Sequence, residues 1–309
     1  MRKYIAKRLL VLIPIILGVT FIIFSIMALT PSSPGRLILG IQASEEDVAK
    51  MDHELGYDRP FLVRFATYVA DAVRGDFGKS YLTSRPVVEE ISNRFPTTFR
   101  LAVLSVITSI LIGVPLGILS AVKQYSSIDL ISTVTAMFMA SVPGFWLGLM
   151  MMLLFSLKLG WTPVSGSGTA AHYILPTLTL AIPSSASLLR LTRSTMLETI
   201  RQDYIRTARA KGVKEGQVIF RHALKNALLP LITSVGMHFG GLLGGTVLIE
   251  SVFSFPGLGS RMLEAIRDKD IPMVTGCTVF LAVLFCLIML LVDLLYAYVD
   301  PRVKAQYSK

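Results

Sequence analysis

The sequence predicts an all-α polytopic membrane protein with six transmembrane helices and with both termini on the inner side. Of its 309 residues 53% are hydrophobic and only 16% are charged, and the mean hydropathy is +0.63, whereas soluble domains carry about a quarter charged residues. The apolar residues form long runs. The bases behind the net charge of +10 cluster beside these runs, which favours orientation in a membrane over nucleic-acid binding.

Six apolar runs approach or exceed the ~20 residues that cross a ~30 Å hydrocarbon core. The first run is too long for a typical signal peptide and lacks a small-residue cleavage pattern, so a retained helix is expected. Bends are expected at Gly113–Gly117 in the second run and at Pro143 and Gly144 in the third, because freed backbone groups can be satisfied by neighbouring helices. The predicted spans are Leu9–Leu29, Leu101–Val122, Leu130–Leu157, Ile174–Leu191, Leu228–Ser251 and Met273–Val299.

The distribution of Lys and Arg sets the orientation of these spans. With the N-terminus inside, the inner segments hold 17 bases and the two short outer loops hold four, so the positive-inside rule favours N-in and C-in. Cys277 and Cys286 lie in one span about 13 Å apart, too far for a disulfide, and are expected to pack. The predicted organisation is a first helix at 1–30, an extracytoplasmic cap at 31–99, a five-helix core at 100–300 with an inner loop at 192–227, and a cytoplasmic tail at 301–309.

The inner loop predicts a short helix, a glycine stop and a second helix. Ala208 and Ala210 are small, and Gly212 can adopt the left-handed conformation that ends a helix. A short helix of this kind suits a groove on a partner protein, where its bases would meet acidic groups at the rim. It also suits a position on anionic membrane lipid, and residue types alone leave both interpretations open. The bases are Arg206, Arg209, Lys211 and Lys214.

Two stretches of this loop, Tyr204–Gly212 and Arg221–Pro230, resemble the ATPase-coupling loop of the dipeptide/oligopeptide/nickel branch of ABC importer permeases. The general coupling pattern of ABC importers is matched at Ala208, Gly212 and Leu224, whereas other residue types stand at Arg206, Thr207, His222 and Lys225. Further stretches that resemble this branch follow in the same order along the chain: Tyr4–Pro14, Leu55–Pro60, Gly75–Gly78, Pro96–Thr98, Glu250–Gly259, Val292–Ala297 and Asp300–Arg302.

The resemblance implies a type I ABC importer permease fold in the inner membrane. It implies a pore made with a second homologous permease, two cytoplasmic ATPases that hold the coupling loops, and an extracytoplasmic binding protein that delivers the substrate. Di- and oligopeptides are the expected substrates, and nickel or a metal chelate is the alternative within the branch. The implied coupling residues are Tyr204, Arg206, Thr207, Ala208, Arg209, Ala210, Lys211, Gly212, His222 and Leu224.

No catalytic residue, cofactor or metal site is expected in this chain. Gly78, Lys79 and Ser80 resemble the end of a phosphate loop, but Val73 stands where its first glycine is required. ATP and Mg are therefore expected on the partner ATPases. His238 has no second ligand at helical spacing, so we expect it to pack between helices.

Residues near the span ends offer further candidates. Glu250 and the following turn at Pro256, Gly257 and Gly259 are candidates for an outer gate or for docking of the binding protein, and a hydrated interfacial carboxylate is the alternative for Glu250. Asp293 lies inside the sixth span, where a carboxylate costs about 3 kcal/mol unless it is paired. An inner-side ion pair is expected there, and contact with the coupling region or the inner gate is the alternative.

A stripe of glycines in the fifth span, Gly236, Gly240, Gly241, Gly244 and Gly245, predicts close packing on another helix, either in this chain or in the second permease. Lining of the substrate path is the competing interpretation. A secondary transporter is the rival from another class, but it would require related halves and carboxylates at mid-membrane, and no half-to-half symmetry is visible.

Overall fold

A computed structural model describes residues 2–29 and 33–299. These residues are mainly helical and contain no β-strand, although Lys79 and Pro86 form one isolated β-bridge. The predicted tail at 301–309 and the Asp300–Arg302 stretch lie outside these residues. The helices are α1 Arg2–Leu29, α2 Pro34–Leu39, α3 Glu45–Glu54, α4 Phe61–Val73, α5 Val87–Val122, α6 Ser127–Ser141, α7 Gly144–Met151, α8 Ala170–Ile200, α9 Asp203–Ala210, α10 Glu215–Gln217, α11 Leu224–Gly245, α12 Val247–Val252, α13 Leu258–Arg267 and α14 Ile271–Val299. Short π-helical segments, Met152–Lys158 and Val218–Ala223, follow α7 and α10.

Five of the six predicted spans overlap helices that are long and apolar enough to cross a membrane. The third is broken: α6 and the α7 segment that ends at Lys158 meet at 100°. Val142 there is extended, with ψ 127°, because the residue before a proline is driven away from helical geometry. The expected bend at Pro143 is therefore confirmed, and the bent pair is a sixth span only if it crosses as one unit.

The second span is longer than predicted and uninterrupted. α5 begins at Val87, inside the segment assigned to the cap, and remains helical through Gly113, Pro115 and Gly117. These glycines serve close packing against α8. A Cβ atom on Gly117 would lie 2.5 Å from the Cβ atom of Thr192, and one on Gly113 would lie 2.6 Å from the Ser185 carbonyl oxygen. Small residues four apart let two helices approach this closely.

Two other spans also differ from the prediction at their ends. α8 continues to Ile200, beyond the predicted end at Leu191 and into the segment assigned to the inner loop. The fifth span is divided, because α11 ends at Gly245 and α12 begins at Val247. The inner loop between α8 and α11 is therefore shorter than predicted and starts at the end of a long helix.

The chain groups into two compact units. One comprises residues 99–255 with 287–299, and the other comprises 33–98 and 256–286 with most of α1. The second unit has its own core of buried side chains, among them Val87, Ile91, Leu258 and Met273. The domain division predicted from the sequence separates segments by the side of the membrane on which they lie, and it stays a prediction. The two units described here are instead groups of segments that pack together.

The surface of the spans is apolar. Ile22, Leu111, Phe138 and Leu291 are each more than half exposed, which is the opposite of a water-soluble helix and matches a hydrocarbon environment. Polar side chains lie inside instead. For example, the Ser109 hydroxyl donates to the Ser105 carbonyl oxygen at 2.7 Å, so this hydroxyl is paired although its surroundings are apolar.

Candidate functional site

The inner loop presents the predicted short helix, α9, which spans Asp203–Ala210. Gln202 occupies the N-cap position before this helix, and its backbone is extended. Its end is fixed at Gly212, which has φ +77° and donates its amide to the Arg209 carbonyl oxygen at 2.9 Å. Nothing lies within 4 Å of a Cβ atom built on Gly212. Glycine is therefore favoured here by backbone conformation rather than by lack of space.

One side of α9 is anchored in the core of the chain. Ile205 is 0% exposed and packs with Met196 at the end of α8 and with Val218 and Ile219 of the π-helical segment. Ala208 and Leu224 are partly buried against the same cluster. The helix is thus seated on α8 and on the start of the next span rather than hanging free.

Two polar contacts add to this anchoring. The Arg209 guanidinium donates to both oxygens of Glu215, at 3.1 and 2.7 Å, which joins the end of α9 to α10. This contact raises the pKa of Arg209, which therefore stays charged. Asn226 donates to the Tyr204 hydroxyl at 2.7 Å and to the His222 carbonyl oxygen at 3.3 Å, which joins the start of α9 to α11.

The opposite side of α9 is open to solvent. Asp203, Arg206, Thr207 and Ala210 are exposed at helical spacing i, i+3, i+4 and i+7, which places them on one face. The side chains of Asp203 and Arg206 are 97% and 75% exposed, and Lys211 is exposed just beyond. The coupling residues predicted from the sequence therefore fall into two groups. One group is anchored in the core of the chain, and the other forms this exposed face of α9, which we call the presented face.

A buried ion pair at the start of α6 was not predicted. Both oxygens of Asp129 accept hydrogen bonds from Arg193 of α8, at 2.6 and 2.8 Å, and the carboxylate also accepts from Ser120 and from the Tyr125 amide. Asp129 is 4% exposed. The contacts join the end of α5, the start of α6 and the last turns of α8 before α9. Opposite charges at the inner ends of two predicted spans were the only sign of it in the sequence.

The outer candidates are placed differently from what the sequence suggested. Glu250 lies in α12, is 0% exposed and accepts a hydrogen bond from the Thr246 hydroxyl at 2.9 Å. The carboxylate is therefore closed off from solvent within this chain, and docking of a protein on this side chain would require it to become exposed. In the turn that follows, Pro256 is exposed while Gly257 and Gly259 are buried at the start of α13. A gate role for this group stays a prediction.

The remaining candidates are distributed along α11 and α14. Gly236 packs against Val292, in agreement with close packing inside the chain, because an added Cβ atom would lie 2.1 Å from a Val292 methyl carbon. Gly241 and Gly244 have open space around them. Asp293 is half-buried, and its predicted role is not decided by this position. His238 is also half-buried, and within residues 2–29 and 33–299 no group of three or more His, Cys, Asp or Glu side chains could hold a metal ion.

Comparison with known proteins identifies the family. Residues 113–305 match the model of the binding-protein-dependent transport system inner membrane component, and residues 1–102 match the N-terminal model of such membrane components. The chain belongs to this family. It is a multi-pass inner-membrane protein and the permease subunit of an ABC importer, which excludes the secondary transporter.

Full-length relatives support the same assignment. The dipeptide transport system permease protein DppB of Alkalihalophilus pseudofirmus is 42% identical, over 98% of this chain and 100% of that protein. The glutathione transport system permease protein GsiC is 40% identical in Salmonella typhimurium and 38% in Escherichia coli K12, each over 98% of this chain and 99% of that protein.

Solved structures show the fold. An inward-facing form of the MetNI methionine ABC transporter matches with a TM-score of 0.59 and 22% identity, over 71% of this chain and 100% of that chain. An amino acid ABC transporter matches with a TM-score of 0.51 and 16% identity, over 69% and 94%. These matches confirm the predicted type I permease fold.

Proposed function

We propose that this permease forms one half of the pore of an ATP-driven importer for di- and oligopeptides. A second homologous permease completes the pore, two cytoplasmic ATPases bind and hydrolyse ATP with Mg, and an extracytoplasmic binding protein delivers the peptide. The chain itself carries no cofactor in this proposal. The peptide class is supported by two groups of relatives, which are named for dipeptide and for glutathione, itself a small peptide.

The observation that carries the proposal is the way α9 is presented. Its apolar side chains, Ile205 and Ala208, are already used in the core of the chain. A helix that lies on a lipid surface must turn an apolar face to the acyl chains, and the presented face of α9 contains charged and small side chains instead. A groove on a protein partner is therefore the favoured contact, with Arg206 and Lys211 facing acidic groups at its rim.

The seating of α9 supports transmission of force. ATP binding favours one arrangement of the two ATPases, and a helix held in their grooves would follow as a rigid body. Because α9 packs on Met196 of α8 and is bonded to Asn226 of α11, its displacement would be passed directly to two spans. Coupling by this route needs no chemistry in the permease itself.

The test uses a cell that lacks its own peptide uptake and carries the complete importer. Ala210→Arg adds a long cation to the presented face, where its exposed position tolerates the change in the free chain. We expect labelled dipeptide uptake to fall to background while the permease remains in the membrane. Ala49→Arg, an exposed alanine on α3 of the cap, is the matched control and should retain uptake.

Two results would contradict the proposal separately. Unimpaired uptake in Ala210→Arg would exclude the presented face of α9 as the ATPase contact. If the unmodified importer takes up no di- or oligopeptide although its ATPases are bound and active, the peptide assignment is wrong. A nickel salt supplied in parallel would then test the alternative substrate.

A further inference from the structure

The carboxylate of Asp129 is a junction between α5, α6 and α8. It accepts two hydrogen bonds from the Arg193 guanidinium of α8, one from the Ser120 hydroxyl of α5 and one from the Tyr125 amide in the turn between α5 and α6. Asp129 itself lies in the first turn of α6, where its amide donates to the capping Ser126 hydroxyl. Because donors reach the carboxylate from three sides and two of them belong to one planar guanidinium, its orientation is fixed.

The turn between α5 and α6 depends on the same carboxylate. Tyr125 has φ +63°, a left-handed conformation that is unfavourable for a bulky side chain. Its amide donates to Asp129 at 2.9 Å, and the neighbouring Ser126 amide donates to the Lys123 carbonyl oxygen at 3.1 Å. These bonds offset the strain and hold the turn in one conformation, so α6 starts at a fixed position relative to the end of α5.

The buried apolar contact between α6 and α8 involves two alanines. Ala136 of α6 packs with Ala186 and Leu189 of α8, and Met139 lies against them. Between helices in a membrane such contacts have no hydrophobic driving force, because lipid chains are as apolar as the side chains. The ion pair differs in being directional. It therefore fixes the position of α6 along α8 at the inner end of both helices.

The seat of α9 lies one helical turn from this junction. Met196, which packs in the same cluster as Ile205 of α9, follows the arginine of the ion pair by three residues on α8, which is about 4.5 Å along the helix axis. On α5, Ile118 and Ala121 belong to this cluster too and flank the serine that bonds the carboxylate. The coupling helix thus rests on the same two helices that the junction joins to α6.

Stability alone gives little reason for a charged pair at this place. Asp129 is 4% exposed, and withdrawing two charges from water offsets most of their attraction. What the pair supplies is a fixed geometry. Sliding α6 against α8 would break two charge-assisted hydrogen bonds at once and would leave a buried carboxylate facing an unmatched cation, so the two helices resist relative displacement.

We propose that Asp129 and Arg193 pass the displacement of α9 on to α6. This inference rests on the proposed function, in which the ATPases move α9. When α9 shifts, α8 and the end of α5 follow through the packed cluster, and the ion pair makes α6 follow with them. The 100° break before Pro143 interrupts the helix, and it is where this moving body ends. Both residues are positioning residues, because they act on transport through α6 and contact neither ATP nor the solute.

The first experiment measures dipeptide uptake and ATP hydrolysis on the same proteoliposomes, loaded with assembled importer isolated by size-exclusion chromatography. Arg193→Gln removes the cation and leaves the other donors on the carboxylate. We expect uptake per ATP hydrolysed to fall about two- to thirtyfold, the range for residues of a connecting network, while hydrolysis continues. Arg193→Lys keeps the charge but not the planar fork and should lose less. Arg190→Gln changes an exposed arginine on α8 and should keep the ratio of the unmodified importer.

A purely structural ion pair predicts a different result. If it only stabilised the fold, loss of folded permease would lower uptake and hydrolysis together and leave their ratio unchanged. An unchanged ratio in both Arg193→Gln and Arg193→Lys would therefore overturn the proposal. Should Arg193→Gln fail to assemble, Arg193→Lys carries the test, because its cation still balances the buried carboxylate.

Spin labels report on the joint between α6 and α8 directly. The labels are placed at Ile131→Cys on α6 and Glu198→Cys on α8, both exposed positions, with Cys277 and Cys286 replaced by alanine. In the otherwise unmodified importer the distance between the labels should be the same without nucleotide and with a non-hydrolysable ATP analogue. In Arg193→Gln it should shift or broaden by about 1–2 Å, the size of helix shifts in such transitions. A distance that changes between the two states with the ion pair intact would overturn the proposal.

These results are distinguishable from a failure of the proposed function. The spin-label measurement requires no solute, so a wrong peptide assignment leaves it valid. If Ala210→Arg abolishes uptake while Arg193→Gln keeps both the ratio and the label distance, α9 remains the ATPase contact and only the role of the ion pair is excluded. If Arg193→Gln lowers the ratio but Ala210→Arg leaves uptake intact, the displacement does not enter through α9, and the route proposed here is wrong.

Discussion

The anchoring of α9 can be tested by removing its one fully buried side chain. Ile205→Ala deletes three carbon atoms from a residue that is 0% exposed. At ~0.8 kcal/mol for each buried carbon, the loss is about 2.4 kcal/mol, and the cavity left behind brings it into the range of about 2–5 kcal/mol. The remaining ties, Arg209 with Glu215 and Tyr204 with Asn226, lie at exposed positions and would not compensate for this loss.

The expected consequence is local opening of α9. A loss of about 2.4 kcal/mol multiplies the opening equilibrium by roughly 50, since about 1.4 kcal/mol corresponds to a factor of ten. Amide hydrogen exchange of the full-length chain in nanodiscs should therefore speed up about 50-fold for Asp203–Ala210 while other helices keep their rates. In the complete importer, peptide uptake should fall even though ATP hydrolysis continues.

The matched control is Ile266→Ala on α13, where the side chain is 49% exposed and its truncation leaves no comparable cavity. Exchange in α9 should be unchanged in this variant. If Ile205→Ala leaves the exchange of Asp203–Ala210 at the rate of the unmodified chain, α9 is not held by this cluster, and its proposed role in transmitting ATPase motion loses its structural basis.

Two further predictions concern the ends of the spans. Asp129→Asn should lower the free energy of unfolding by about 1–3 kcal/mol, since the neutral amide no longer pairs with the charge of Arg193, whose side chain is 26% exposed and partly screened by solvent; a denaturant titration of the full-length chain measures this, and Asp47→Asn, exposed in the cap, is the control. A loss below 1 kcal/mol would show that the pair is not structurally important. Gly212→Val should cost about 1–2 kcal/mol because φ +77° is unfavourable for a side-chain-bearing residue, whereas Gly212→Asn should be better tolerated. Equal hydrogen exchange of the α9 segment in both variants would contradict the conformational explanation of this glycine.

The coupling loop shows how far local sequence signals reach. The helix, its stop at Gly212 and its family resemblance were all predictable, because helix ends depend on residues that are close together in the chain. No motif in the sequence indicated that Ile205 faces inward and that Arg206 faces outward. It depends on Met196 and Val218, which the fold brings against α9.

The ion pair of Asp129 with Arg193 lay beyond prediction for the same reason. Its partners are 64 residues apart, and opposite charges at span ends occur without contact in many arrangements. The glycines of α5 give a related case. Gly113 and Gly117 were interpreted as a bend, whereas their lack of side chains is used for contact with α8, and only the position of α8 distinguishes these interpretations.

The sequence by itself determined the membrane class, the approximate position of five spans and the family. This is possible because a hydrocarbon core requires about 20 consecutive apolar residues whatever the tertiary arrangement, and because the coupling motif is contiguous. The tertiary structure decided the length of α5 and α8, the burial of Glu250 and the face that α9 presents. Each of these depends on contacts between segments far apart in the chain, where the free energy of packing outweighs local preference.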